Sequence, residues 1–211
     1  MPKIIEMKLN FKKSVILFIT FCSLFSTKLY AQEMIFERIF DETLAQASYI
    51  IANDKKEAII IDPKRDIDTY LEYAEKHGLK IKYVTETHIH ADFLSGSREL
   101  ANATHAELLL SDEGGKNWQY QFPHQALKDQ QLISLGNILI EVLHTPGHTP
   151  ESITFLVKDT KQKLLPAKAI TGDFIFVGDV GRPDLLEKAV GQKGAQFEGA
   201  YQLYESLKKI H

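Results

Sequence analysis

Three loops that each carry a metal-capable side chain, and that each fall at the end of an expected strand, limit the folds open to this chain more than any other feature. The first, Thr87-His88-Ile89-His90-Ala91-Asp92, follows a strand expected over Ile81–Glu86. The second is Thr145-Pro146-Gly147-His148-Thr149, after a strand near Ile138–Leu143, and the third is Thr171-Gly172-Asp173, after one near Ala169–Thr171. A lone HxH pair is often just surface histidine, His148 alone could be an ordinary turn residue, and Asp173 alone could stabilise a turn. Asp92 adds a carboxylate to two imidazoles within five residues, a mixture suited to zinc or non-haem iron. Three such loops in one chain imply a rigid sheet scaffold that gathers ligands around a shared point.

The remaining periodicity supplies that scaffold. Further strands are expected near Ile35–Phe40, Ser48–Ala52, Ala58–Ile61, Glu107–Leu110 and Ile153–Val157. Pro63 ends the third of these because proline cannot continue a ladder. Asp66 is expected to cap a helix with Ile67, Leu71 and Ala74 on one face and Gly78 at its end. A short helix is expected around Ser97–Ala101, and a terminal helix that aligns Phe197, Tyr201, Tyr204 and Leu207. Trp118, Tyr120 and Phe122 alternate, which fits a half-buried strand or the lining of a substrate entrance. Mixed strands with interspersed helices leave both a doubly wound sheet and a two-sheet sandwich open.

Residues 1–31 stand apart. Lys8, Lys12 and Lys13 precede Val15–Phe25, an eleven-residue apolar run, and Leu29-Tyr30-Ala31 then precedes Gln32. This is the pattern of a secretory signal peptide, cleaved after Ala31, and the run is shorter than the ~20 residues of a membrane span. The expected location is periplasmic or secreted, with no stable membrane association after cleavage, and residues 32–211 form one domain. Removing residues 1–31 changes the net charge from −3 to −7, because five Lys and one Glu leave and 20 basic and 27 acidic side chains remain. An acidic domain without a basic cluster gives no footprint for nucleic acid. Cys22 is the sole cysteine, so an intrachain disulfide, a CxxC site and a cysteine nucleophile in the mature chain are all excluded.

Together the three loops resemble those of the metallo-β-lactamase superfamily, and the resemblance covers residues 34–211. It implies an α+β fold, an αββα sandwich of two mixed sheets packed between helices, with ligands from loops at one edge. The superfamily pattern HxHxDH ends here in Phe93, which has no lone pair, so one metal per chain is expected rather than two. The strings Glu86–Phe93, Ser95–Leu100, Thr145–Ser152 and Gly178–Leu185 are similar to persulfide dioxygenases, especially bacterial forms that carry rhodanese domains. That resemblance implies one Fe(II) per chain held by His88, His148 and Asp173. It places His90 and Asp92 beside the metal as catalytic residues, and Arg182 and Asp184 on the substrate side.

The implied reaction is oxidation of a thiol persulfide, such as glutathione persulfide, by O2 to sulfite and thiol. Two histidines and a carboxylate leave open positions of the kind non-haem Fe(II) oxygenases use. Compared with the rhodanese-bearing relatives the chain stops early, at His211, so the domain is expected to be C-terminally short and to lack rhodanese domains; a homodimer is possible. The alternatives are a zinc hydrolase of glyoxalase II type and a non-catalytic metal-binding protein.

Overall fold

In the computed structural model the described residues are 34–184, 187 and 194–210. The expected signal peptide over 1–31, with Cys22, lies outside them. No helix among the described residues is long and apolar enough to cross a membrane.

Two sheets face each other. The larger contains β1 (Ile35–Asp41), β2 (Gln46–Ala52), β3 (Glu57–Ile61), β4 (Lys80–Thr85), β5 (Glu107–Ser111) and β6 (Gln125–Leu127), hydrogen-bonded in that order. Its first two pairings are antiparallel and its last three parallel. Parallel neighbours need a crossover. Helix α1 (Asp68–His77) links β3 to β4, and α2 (Ser97–Thr104) links β4 to β5. The smaller sheet runs β10 (Lys168–Ile170), β9 (Ile153–Asp159), β8 (Ile138–His144), β7 (Leu132–Leu135). It is antiparallel throughout, which corrects the expectation of two mixed sheets. Short hairpins such as β7–β8 need no crossover helix, so nothing in this half of the chain favours parallel pairing. A small ribbon of β11 (Ile175–Phe176) and β12 (Asp179–Val180) precedes α3 (Ala195–Ile210).

The binary pattern explains the layering. One face of the larger sheet, with Ile51, Ile59, Ile61 and Leu109, packs against Ile140, Val142, Phe155 and Val157 of the smaller sheet. Its other face, with Ile50, Ile60 and Val84, packs against Tyr70 and Ala74 of α1 and Leu100 and Ala101 of α2. Side chains alternate along a strand, so Ile50 and Ile51, or Ile60 and Ile61, serve opposite layers. Fully burying each such side chain contributes ~1.5–3 kcal/mol.

Two local expectations change. Ile67, not Asp66, occupies the N-cap of α1, with no side-chain capping bond, while Gly78 closes the helix in the left-handed conformation as expected. Trp118–Phe122 form a loop rather than a strand. Helix α3 turns Gly199, Leu203 and Ser206 inward and leaves Phe197, Tyr201 and Tyr204 exposed. The Ser206 hydroxyl donates to Pro146 O at 2.8 Å, and a Cβ on Gly147 would lie 2.6 Å from Leu203 Cβ, so the small side of the helix is the one that fits the Pro-Gly turn.

Candidate metal centre

The three loops meet at one edge of the sandwich. His88 follows β4, His148 follows β8 and Asp173 follows β10; ligand atoms of the three lie within 4.8 Å of one another. His148 Nε2 is 3.5 Å from Asp173 Oδ2, and the His88 and His148 rings meet edge to face with centroids 4.9 Å apart. The loops are joined across the sheets by Ile153 N donating to Thr87 O at 2.8 Å. Gly172 has φ +50°, and a Cβ there would collide with Thr87 Cβ at 2.7 Å, so only glycine lets the Asp173 loop approach His88 this closely.

A residue outside the three loops organises this edge. Asp62 is buried and sits at φ +52°, a strained setting for a residue other than glycine. Its carboxylate accepts from Thr87 N at 2.6 Å, Thr87 Oγ1 at 2.9 Å and His90 Nε2 at 3.1 Å, while its carbonyl accepts from Gln46 Nε2 at 2.6 Å. Because the Thr87 hydroxyl donates to Asp62, it accepts from His88 Nδ1 at 2.9 Å. That assigns the proton of neutral His88 to Nδ1 and leaves Nε2 with its lone pair, the usual arrangement behind a metal-binding imidazole. Only the Asp-Pro dipeptide at a strand end marks this residue in the sequence.

Glu151, also buried, ties the first two loops together. Its Oε1 accepts from Ile89 N at 2.7 Å and Thr149 Oγ1 at 2.8 Å. Behind His90, buried Glu86 accepts from Ser95 Oγ and, at 3.1 Å, from Tyr120 Oη.

Electrostatics suit cation binding. Burial, with His90 and His148 nearby, holds the His88 pKa well below its ordinary value, so its imidazole is neutral and available. Burial opposes charge on His90, but the neighbouring carboxylates of Asp62, Glu86 and Asp92 outweigh it and raise its pKa. Burial raises the Asp173 carboxyl, with Asp92 and Asp62 adding to the effect and His148 opposing it. Burial likewise raises Glu151.

The residues present fit a metal. Among the described residues, His148 Nδ1 is buried without a hydrogen-bond partner, and two imidazoles plus one carboxylate converge on one point. His88, His148 and Asp173 form the metal-capable cluster found among the described residues. The second position is less complete: His90 is engaged by Asp62, Asp92 is exposed, and Phe93 packs against His90. A cavity of about 390 Å3 opens over this edge, lined by His88, His90, Asp92, Phe93 and Asp173 among others. Arg182 and Asp184 do not line it; the Arg182 guanidinium is held by Asp184 through bonds of 3.1 and 2.7 Å. Of the other histidines, His144 is bound to Pro150 O, His77 to Tyr73 O, and His124 to Phe122 O.

A sandwich of two sheets with helices and a His–His–Asp cluster at its edge is the architecture of one class, and residues 42–210 match the metallo-beta-lactamase superfamily; the chain belongs to it. Its fold matches the crystal structure of a metallo-beta-lactamase from Staphylococcus aureus subsp. aureus COL, with TM-score 0.78 and 46% identity over 84% of this chain and 52% of that one. The hydroxyacylglutathione hydrolase GloC of Haemophilus influenzae is 29% identical over 152 residues, 64% of this chain and 69% of that protein. The mitochondrial persulfide dioxygenase ETHE1 of Bos taurus is 26% identical over 163 residues, 73% of this chain and 58% of that protein. The chain thus spans little more than half the length of the first and last of these, and it is about equally similar to a hydrolase and a dioxygenase.

Proposed function

We propose that the chain is a mononuclear non-haem iron dioxygenase that oxidises a thiol persulfide with O2. The observation that carries this reading is Phe93, which fills the last place of the HxHxDH pattern with a ring against His90 and withholds a ligand from a second metal. His88, His148 and Asp173 would hold the ion, a donor set of the kind non-haem Fe(II) oxygenases use. Bound Fe(II) would supply the path for electrons from sulfur to oxygen, chemistry that zinc lacks. The balanced reaction is RSSH + O2 + H2O → RSH + SO3 2− + 2 H+.

The protein's own contributions follow from the contacts. The Asp62–Thr87 relay fixes the His88 ring and its tautomer. Asp62 also fixes the His90 ring in place beside that of His88. The similarity to the bovine persulfide dioxygenase supports the reading, and the similarity to the Haemophilus hydrolase supports the rival, thioester hydrolysis at a zinc centre. Arg182 and Asp184 are proposed to border the substrate side, and export of the mature chain is proposed on the basis of residues 1–31. Metal analysis of protein purified without oxygen separates the readings: one iron per chain supports the dioxygenase, two zincs the hydrolase.

A further inference from the structure

The face of β1 and β2 that points between the sheets changes character along its length. Phe36 packs against the inter-sheet core, and two and four residues further along the same face of the strand come Arg38 and Phe40. Opposite them in β2 stand Tyr49 and Ala47. All four of Arg38, Phe40, Tyr49 and Ala47 line the cavity over the metal centre. An arginine on what is elsewhere the core face of a strand breaks the apolar pattern, and such breaks mark functional positions.

Arg38 is the one Arg or Lys among the residues lining this cavity, whose walls otherwise carry the carboxylates of Asp62, Asp92 and Asp173. Its guanidinium lies 4.5 Å over the Phe40 ring and has no ion-pair partner among the described residues. This contact with the Phe40 ring leaves its N–H donors available to a ligand. The ring itself is half exposed, as is Phe176, which also lines the cavity. The cavity lining therefore offers one guanidinium together with two half-exposed aromatic rings.

We propose that Arg38 binds an anionic group, carboxylate or phosphate, on the carrier portion of the thiol that enters this cavity, and so selects charged carriers over neutral ones. Guanidinium pairs with both anions through two parallel hydrogen bonds. The assignment of the ligand as a thiol carrier rests on the proposed function above; the presence of an anion subsite does not require turnover.

Two measurements separate these claims. The first is calorimetric binding of S-methylglutathione, a carboxylated carrier, and S-methyl-coenzyme A, a phosphorylated one, to metal-free protein. Arg38→Ala should weaken whichever binds by about tenfold, the size of one charge-assisted contact at a partly exposed site, and Arg38→Lys should recover part of the loss. Which of the two responds identifies the anion. The second is steady-state kinetics of the iron-loaded enzyme with the persulfides of glutathione and of the uncharged 2-mercaptoethanol. Arg38→Ala should raise KM for the charged substrate with kcat unchanged, and leave the neutral one unaltered, as loss of uniform binding requires. Failure of the wild type to oxidise either persulfide would overturn the functional reading while the binding data still decide Arg38. Absence of binding by the wild type, equal affinities in wild type and Arg38→Ala, or equal KM changes for charged and neutral substrates would overturn the role of Arg38.

Discussion

The Phe93 ring rests against the His90 imidazole, centroids 4.3 Å apart and planes inclined by 40°. A hydrophobic ring therefore stands beside a histidine that a second metal would need, and Asp62 already engages that histidine. Phe93→His supplies the missing imidazole next to Asp92. This variant should bind more than one zinc per chain in zinc-rich medium and lose persulfide oxidation, since Zn2+ outcompetes Fe2+ at nitrogen and oxygen ligands. Metal analysis after dialysis checks it; unchanged stoichiometry would show that other surroundings of position 93 control metal number.

Replacing His88, His148 or Asp173 by alanine should remove most bound iron and leave the fold intact, because the three project from loops beyond the packed core. Full iron content in all three variants would contradict the ligand assignment. His90→Ala should cost activity more than metal. Asp62→Ala should weaken metal binding ~10–100-fold, as removal of a hydrogen-bonding support behind a ligand typically does, and lower stability by ~1–3 kcal/mol through the orphaned Thr87 N–H. Iron titration and thermal unfolding measure the two effects.

The ligand loops are legible in the sequence because histidine and aspartate at successive strand ends leave a local signature. Asp62 and Glu151 are not, since their roles come from contacts across 25 and 62 positions of sequence. Strands β6 and β7, three and four residues long, are too short for alternation to announce. The aromatic stripe of the terminal helix is legible, but which side packs is not: the close approach to Gly147 admits the side with Gly199, Leu203 and Ser206. Arg38 has no motif around it, and only the cavity gives it meaning.

The docking of α3 should depend on acid pH. Burial opposes the charge on Asp129, but the Lys209 ammonium at 2.5 Å and His144 N at 2.7 Å outweigh it and hold its pKa below the ordinary value. A carboxyl depressed in the folded state contributes stability above its unfolded pKa of ~3.9, and that contribution is lost as pH falls through the folded value. Asp129→Asn should therefore cost ~0.5–1 kcal/mol at about pH 7, the scale of a partly exposed ion pair, and little by about pH 2. Equal differences at both pH values, by denaturant unfolding, would contradict the assignment.

The Lys-flanked apolar run predicts a mature N-terminus at Gln32. Intact mass of the protein recovered from the exported fraction of a bacterial host tests it. A cytoplasmic chain that still carries the Lys-flanked apolar run would contradict it.

The central claim is that this site passes electrons from a persulfide to O2, and an oxygen electrode tests it most directly. Iron-loaded protein supplied with glutathione persulfide should consume one O2 per persulfide and release an equal amount of sulfite, with neither seen in Asp173→Ala. No oxygen uptake by the iron-loaded wild type, together with thioester hydrolysis by the zinc-loaded protein, would contradict the dioxygenase reading and establish the hydrolase in its place.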